Sequence, residues 1–206
     1  VSKAVFLPGA GGRRSFWEPV ARSLDPAIEP LVLAWPGFGD EPHDDSITSL
    51  TGLVDYVLER VDGPCDLVAQ SMGGVVALSL TLQHPELVNR LVLTGTSGGI
   101  DVSRFRAEDW RTESRAKNAS SPDPTPSWFF DDRTDLTDQV PNITSPALLI
   151  WGEDDRISPP AAGEYLASLL PHAHLEVVPG GHDHPQAHPA GCSGLITAFL
   201  LAGRGA

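Results

Sequence analysis

Apolar residues gather in six short runs along the chain, at residues 4–7, 31–35, 66–69, 91–93, 147–151 and 175–178. The runs are continuous in apolar character and rich in Val, Leu and Ile. Alternation would mean a one-sided antiparallel sheet; continuity means strands buried on both faces. Between them the period changes. Leu50, Leu53, Val54, Val57, Leu58 and Val61 follow helical i, i+3, i+4, i+7 spacing and stop at Gly63-Pro64. A second helical stretch runs after Ser71 through Val75, Val76, Leu78, Leu80 and Leu82 and ends before Pro85, and two more occupy about 160–170 and 189–201. Strand–helix alternation predicts βαβ units with right-handed crossovers, a mainly parallel six-stranded sheet and helices on both faces.

The pattern lapses over residues 97–140, which are polar, Pro-containing and without sustained periodicity. Such a run inside a compact domain is usually a lid or a disordered segment. Trp110, Trp128, Phe129 and Phe130 argue against disorder, since disordered segments are poor in aromatics. The expectation is one domain, residues 1–206, carrying a lid at 97–140. Its arginines include Arg104, Arg106, Arg111 and Arg115. Arg111 and Arg115, at i, i+4, read either as contacts for a carboxylate or phosphate or as a solvated helix face.

Composition narrows the classes. A chain of 206 residues with 41% hydrophobic residues supports one well-buried core. No stretch approaches the roughly 18 apolar residues of a membrane span. The formal net charge of −13 repels nucleic acid and anionic membrane surfaces, so the expected partner is a small molecule. The oligomeric state stays open. Cys65 and Cys192 each sit in an apolar element, and two buried thiols favour a reducing cytoplasm over a disulfide.

Two serines compete as nucleophile. Gly95-Thr96-Ser97-Gly98-Gly99 matches the pattern Gly-x-Ser-x-Gly in full, whereas Ala69-Gln70-Ser71-Met72-Gly73 matches it with Ala at the first position. With 20 Gly in 206 residues, about one Ser in ten has Gly two positions later by accident, so spacing decides nothing. Mechanism decides. A nucleophile elbow needs a buried strand, a tight turn that lifts the oxygen into the open, then a helix whose amides face the reaction. Ser71 lies between Cys-Asp-Leu-Val-Ala and the helical Gly-Gly-Val-Val-Ala-Leu. Ser97 is followed by two glycines and no apolar stripe, and reads as a hinge turn.

With that elbow mid-chain, the sequence resembles the α/β-hydrolase family over nearly its whole length, the 97–140 lid excepted. The family's acid follows a later strand as Gly-x-x-Asp; Gly152-Glu153-Asp154-Asp155 implies Asp155. Its histidine follows the last strand, often as Gly-Gly-His; Gly180-Gly181-His182 implies His182. The order Ser, Asp, His agrees with the fold. The resemblance further implies an oxyanion hole from the Met72 and Ala10 amides, although Pro8-Gly9 replaces the usual His-Gly. It also implies a minimal six-stranded sheet lacking the family's leading hairpin. Trp35 occupies a commonly acidic position before the Pro36-Gly37-Phe38-Gly39 turn and joins Trp110, Trp128, Phe129 and Phe130 as a candidate pocket residue. The histidines from His172 to His188 lack zinc-ligand spacing, so neither metal nor cofactor is expected. The function implied is hydrolysis of a small carboxylic ester or thioester through an acyl-enzyme on Ser71. Open alternatives are C–C bond hydrolysis or a lyase reaction on the same triad, and a non-catalytic binding protein.

Overall fold

A computed structural model describes residues 2–39, 41–119 and 125–203. Its strands are β1 (Ser2–Leu7), β2 (Ile28–Val32), β3 (Cys65–Gln70), β4 (Val88–Thr94), β5 (Ala147–Gly152) and β6 (Ala173–Val178). They form one sheet in the order β2-β1-β3-β4-β5-β6, and every pairing is parallel. The helices are α1 (Glu18–Ala21), α2 (Leu50–Leu58), α3 (Met72–Gln83), α4 (Trp110–Asn118), α5 (Ser127–Asp131), α6 (Pro160–Leu169), α7 (His184–Ala187) and α8 (Pro189–Leu201).

The strand pleat sorts the core into two layers. Val5, Leu7, Leu67, Ala69, Leu91, Leu93, Leu149 and Trp151 face α2, α3 and α6. Ala4, Phe6, Val68, Val92, Leu148 and Ile150 face Trp17, Val20 of α1 and Cys192, Ile196, Leu200 of α8. Each large aliphatic side chain so buried contributes roughly 1.5–3 kcal/mol. Cys65 lies in the first layer and Cys192 in the second, both as buried free thiols that burial pushes up to about 12. The sheet between them rules out a disulfide. α3 is buried almost all round, as an element must be that packs on the sheet and is covered by α2 and by the segment preceding β5.

Two expectations are corrected. The apolar run at 31–35 overshoots its strand: β2 begins at Ile28 and ends at Val32, while Leu33, Ala34 and Trp35 are buried beneath the following loop. β2 and β6 are edge strands and are not buried on both faces, which is why β2 tolerates Pro30, a residue without an amide to donate. The segment at 97–140 is also less irregular than its pattern implies. Helix α4 has no apolar stripe to announce it; it starts on Asp109, whose carboxylate accepts the Thr112 amide and hydroxyl, and Arg115 ties it to Asp131 at 2.7 Å.

β1 leads outward to β2, whereas β3 begins the march the other way to β6. Connections therefore leave β1 and β3 in opposite directions, which opens a crevice beyond their carboxyl ends. The loops after β1, β3, β4, β5 and β6 all emerge at this edge.

Candidate active site

β3 runs into α3 with a single residue between them. Ser71 alone makes the reversal, at φ +52° and ψ −119°. Among the described residues only Arg106 shares a positive φ without being glycine. Such a conformation costs on the order of 1–3 kcal/mol and persists only where surroundings enforce it. Here the Ser71 amide donates to Thr94 O at 3.0 Å, and the Ser71 carbonyl accepts the Gly74 amide at 3.0 Å and the Thr96 hydroxyl at 2.5 Å. Close backbone approach completes the turn. A β-carbon on Gly73 would sit 2.6 Å from the carbonyl oxygens of Leu7 and Pro8, and one on Gly9 would sit 3.0 Å from Ser71 Cβ. The glycine two positions after the serine is thus a contact requirement between α3 and the end of β1.

The loop after β1 is clamped by two indoles: Trp17 Nε1 donates to Leu7 O at 3.0 Å and Trp35 Nε1 donates to Pro8 O at 2.8 Å. Trp35 is wholly buried and lines neither cavity at the site, so its sequence placement as a pocket residue is corrected to that of a loop clamp. Ala10 follows Pro8-Gly9 in this loop, and Met72 opens α3. Among the described residues neither amide donates to a backbone carbonyl. Ala10 lines the larger cavity and Met72 the smaller, each together with Ser71.

Asp155 ends a turn closed by its own amide on Gly152 O at 3.1 Å. Its buried carboxylate accepts the Ile157 and Ser158 amides, both at 2.9 Å, and faces His182 Nδ1 at 3.1 and 2.9 Å. The Glu153 and Asp154 amides donate to Val178 O and Gly180 O at 2.9 Å, strapping the acid turn to the histidine loop. Gly152 permits that approach, since a β-carbon there would fall 2.4 Å from Gly180 O and Gly181 O. No hydrogen bond joins Ser71 Oγ to His182 in this structure; such contacts often tighten only when substrate arrives. Both residues line the same two cavities, of about 500 and 410 Å³.

Several residues at the site carry no sequence signal of their own. Thr96 links two turns: its hydroxyl holds the elbow, and its carbonyl accepts Ser158 Oγ at 3.0 Å. Gln70 donates from Nε2 to His182 O at 3.5 Å. Ser97, the literal pattern match, sits in a turn where its carbonyl accepts the Ile100 amide and Gly98 and Gly99 take positive φ. Of the aromatic candidates, Trp110, Phe129 and Phe130 line the larger cavity. Trp128 lies outside both and packs edge-on against Phe38 and Phe129. Arg111 is half-buried, not solvated, and Arg115 pairs with Asp131. His184 is buried with neither ring nitrogen hydrogen-bonded, and burial pushes it down to about 4. Among the described residues no group of three His, Cys, Asp or Glu is placed to hold a metal.

A family model described as the alpha/beta hydrolase family matches residues 4–141, and a second, for the alpha/beta hydrolase fold, matches residues 101–185. The chain is 26% identical to a pimeloyl-[acyl-carrier protein] methyl ester esterase of Neisseria meningitidis serogroup B, over 98% of this chain and 94% of that protein. It is 24% identical to the biotin biosynthesis bifunctional protein of Teredinibacter turnerae, where the match takes in 97% of this chain but only 44% of the longer relative. Its fold resembles that of a hydrolase from Pseudomonas aeruginosa, with a TM-score of 0.79 at 22% identity, covering 98% of this chain and 90% of the other. A match to the first model over well more than half of the residues, on a parallel sheet of this order, makes this chain a member of the alpha/beta hydrolase family.

Proposed function

We propose that this protein hydrolyses a small carboxylic ester or thioester, with Ser71 as nucleophile, His182 as general base and Asp155 as its orienting acid. The observation that carries the reading is the convergence of a positive-φ serine and a buried Asp–His pair on one cavity. His182 Nε2 takes the Ser71 proton as Oγ attacks the carbonyl carbon. The Ala10 and Met72 amides stabilise the oxyanion. The imidazolium then protonates the leaving alcohol or thiol as the carbonyl re-forms on an acyl-serine. Water, deprotonated by His182, releases the acid. Asp155 holds the ring in the tautomer with Nδ1–H and stabilises the imidazolium. That the relatives include esterases by name supports an ester at this serine. The 97–140 insertion serves as the lid, since its side chains line both cavities. No helix among the described residues is long and apolar enough to cross a membrane, and two buried thiols suit a reducing compartment.

Ser71→Ala should abolish p-nitrophenyl ester hydrolysis and labelling by a fluorophosphonate probe, because triad members act as a unit. Ser97→Ala should keep most of both. Labelling that survives in Ser71→Ala and disappears in Ser97→Ala would overturn the assignment.

A further inference from the structure

The lid carries cations that are neutralised in different ways. Arg115 is paired with Asp131 at 2.7 Å, and Arg104 lies over the Tyr165 ring at 4.6 Å. Arg111 lies over the Trp110 ring at 4.9 Å, and what sets it and Arg133 apart is their shared acceptor. Arg133 Nη1 donates to the backbone carbonyls of Asp132 at 2.7 Å and Phe130 at 3.0 Å, and Arg111 Nη2 reaches the Asp132 oxygen at 3.4 Å. Two guanidinium groups thus converge on one uncharged acceptor. Among the described residues no carboxylate lies within ion-pair distance of either, and the Arg111 Nε atom is buried without a hydrogen-bond partner. Burial first, then the nearby Arg133, lower the Arg111 pKa, against the opposing pull of Asp132 and Asp109.

The surrounding acids do not fill that need. Of the five in the wall of the smaller cavity, Asp101 is turned onto Ser103, Asp109 onto Thr112, Asp132 onto Thr134 and Asp135 onto the Thr137 amide, and Glu108 pairs with Arg156 at 3.7 Å. Each is engaged by a partner other than Arg111 and Arg133. Both arginines line the smaller cavity, about 410 Å³, whose wall also includes Ser71 and His182. A ligand in that cavity meets the reacting serine and the arginine pair together.

We propose that Arg111 and Arg133 form an anion subsite for a carboxylate on the substrate, so that this enzyme prefers half-esters of dicarboxylic acids to neutral esters of the same length. The proposal rests on the ester-hydrolase reading above. A carboxylate matches the planar fork of a guanidinium and supplies the full charge that the Asp132 carbonyl lacks. On a chain with a net charge of −13, an anionic substrate needs such a local pair to be held.

The test measures kcat/KM for monomethyl esters of dicarboxylic acids from succinate to suberate, against methyl esters of the corresponding monocarboxylic acids. At one chain length the half-ester should be preferred at least tenfold. Arg111→Gln and Arg133→Gln should each lower that ratio about tenfold, while Arg115→Gln leaves it as in the wild type. In parallel, Ser71→Ala protein, which needs no turnover, should rise in Tm with glutarate or adipate, and the rise should vanish when Arg111→Gln is added. Inorganic phosphate raising Tm where dicarboxylates do not would overturn the carboxylate assignment. Neutral esters cleaved as fast as half-esters, with no dicarboxylate protection, would overturn the subsite and leave the hydrolase standing. Arginine-dependent dicarboxylate binding without cleavage of any ester would overturn the hydrolase reading instead.

Discussion

Gly95 stands against Asp155 with no room for a side chain: a β-carbon there falls 3.0 Å from Asp155 Oδ2 and 3.2 Å from His182 Nδ1. Its φ of +50° adds a second reason for glycine. Gly95→Ala should therefore push the Asp–His pair apart and lower kcat by about 10²-fold, the scale of a misplacement near 1 Å. The left-handed backbone should cost a further ~1–2 kcal/mol of stability. Gly194→Ala in α8, where a β-carbon meets nothing within 4 Å, should leave kcat unchanged and raise stability by about 0.5–1 kcal/mol. Ester kinetics and thermal unfolding of the two variants check both statements; a fully active Gly95→Ala would show that the pair tolerates displacement.

Asp155 and Asp154 are adjacent but differ in every physical respect. Asp155 is buried, takes two amides and faces Nδ1, whereas Asp154 is exposed and engages the histidine loop only through its backbone amide. Asn at 155 keeps an oxygen for the Ile157 and Ser158 amides but turns an NH2 group toward the ring, which then adopts the wrong tautomer. Asp155→Asn should reduce kcat by about 10⁴ with the fold intact. Asp154→Asn should fall within a factor of about two of wild type, as surface substitutions usually do. Equal losses in the two would leave the acid elsewhere.

The strand–turn–helix around Ser71 and the loop of His182 are legible in the sequence because their signals are local. A six-residue buried strand, one serine and an apolar helix follow one another between Cys65 and Gln83 with nothing intervening. Gly73 looks like half of a pattern in the sequence; only the approach of Leu7 and Pro8, far away along the chain, explains it. Gly95 completes the literal Gly-x-Ser-x-Gly pattern around Ser97, whereas its constraint comes from Asp155 and His182. The 31–35 run overshoots β2 because Leu33, Ala34 and Trp35 are as buried as any strand residue, although only the Leu33 amide still bonds to β1, at Phe6 O, and the Trp35 amide turns to Gly12 O. Helix α4 shows in the sequence only as the i, i+4 spacing of Arg111 and Arg115, because its support is a cap and an ion pair, not an apolar face. The arginine pair was invisible as a pair, since residue 133 meets residue 111 only through the carbonyl of Asp132.

His184 makes stability depend on acid. Its ordinary value of about 6.5 falls to about 4 in the folded protein, chiefly through burial, with His182 and His188 adding to the fall and Asp155 opposing it. The folded pKa lies below the unfolded one, so between these values the unfolded chain binds the extra proton. Stability is full above about pH 6.5 and is lost as pH drops toward 4, by up to about 3 kcal/mol from this group. His184→Leu removes the titrating ring. Urea unfolding at pH 7.5, 6 and 5 should show a shallower acid-side decline in that variant than in wild type. Parallel declines would mean that the ring is not the acid-sensitive element.

Trp110 and Trp128 occupy the same insertion yet should fail differently when truncated. Trp110 stacks on Phe129 with ring centroids 5.5 Å apart, and both line the two cavities that share Ser71 and His182. Both rings thus belong to the walls of the larger and the smaller space, and their stack is taken as the partition between them. Removing the Trp110 ring opens one cavity to the other, so longer acyl chains gain a place that short ones do not need. A change of one methylene in an apolar pocket is worth about 1–3 kcal/mol in selectivity. Trp110→Ala should accordingly raise kcat/KM for medium-chain relative to short-chain esters by about tenfold. Trp128 faces neither cavity, and its rings meet Phe38 and Phe129 edge-on at 5.9 and 6.3 Å. Its indole nitrogen is buried without a partner, so it contributes packing and no directed bond. Trp128→Ala should cost stability near the low end of the roughly 3–5 kcal/mol seen for buried tryptophans, because the residue is only partly buried. The ranking of esters by chain length should not move. Assays on acetate, butyrate, hexanoate and octanoate esters, run beside thermal unfolding, separate the two behaviours. A changed ranking in Trp128→Ala with an unchanged one in Trp110→Ala would reverse the roles assigned to these rings and remove the partition from the account of selectivity.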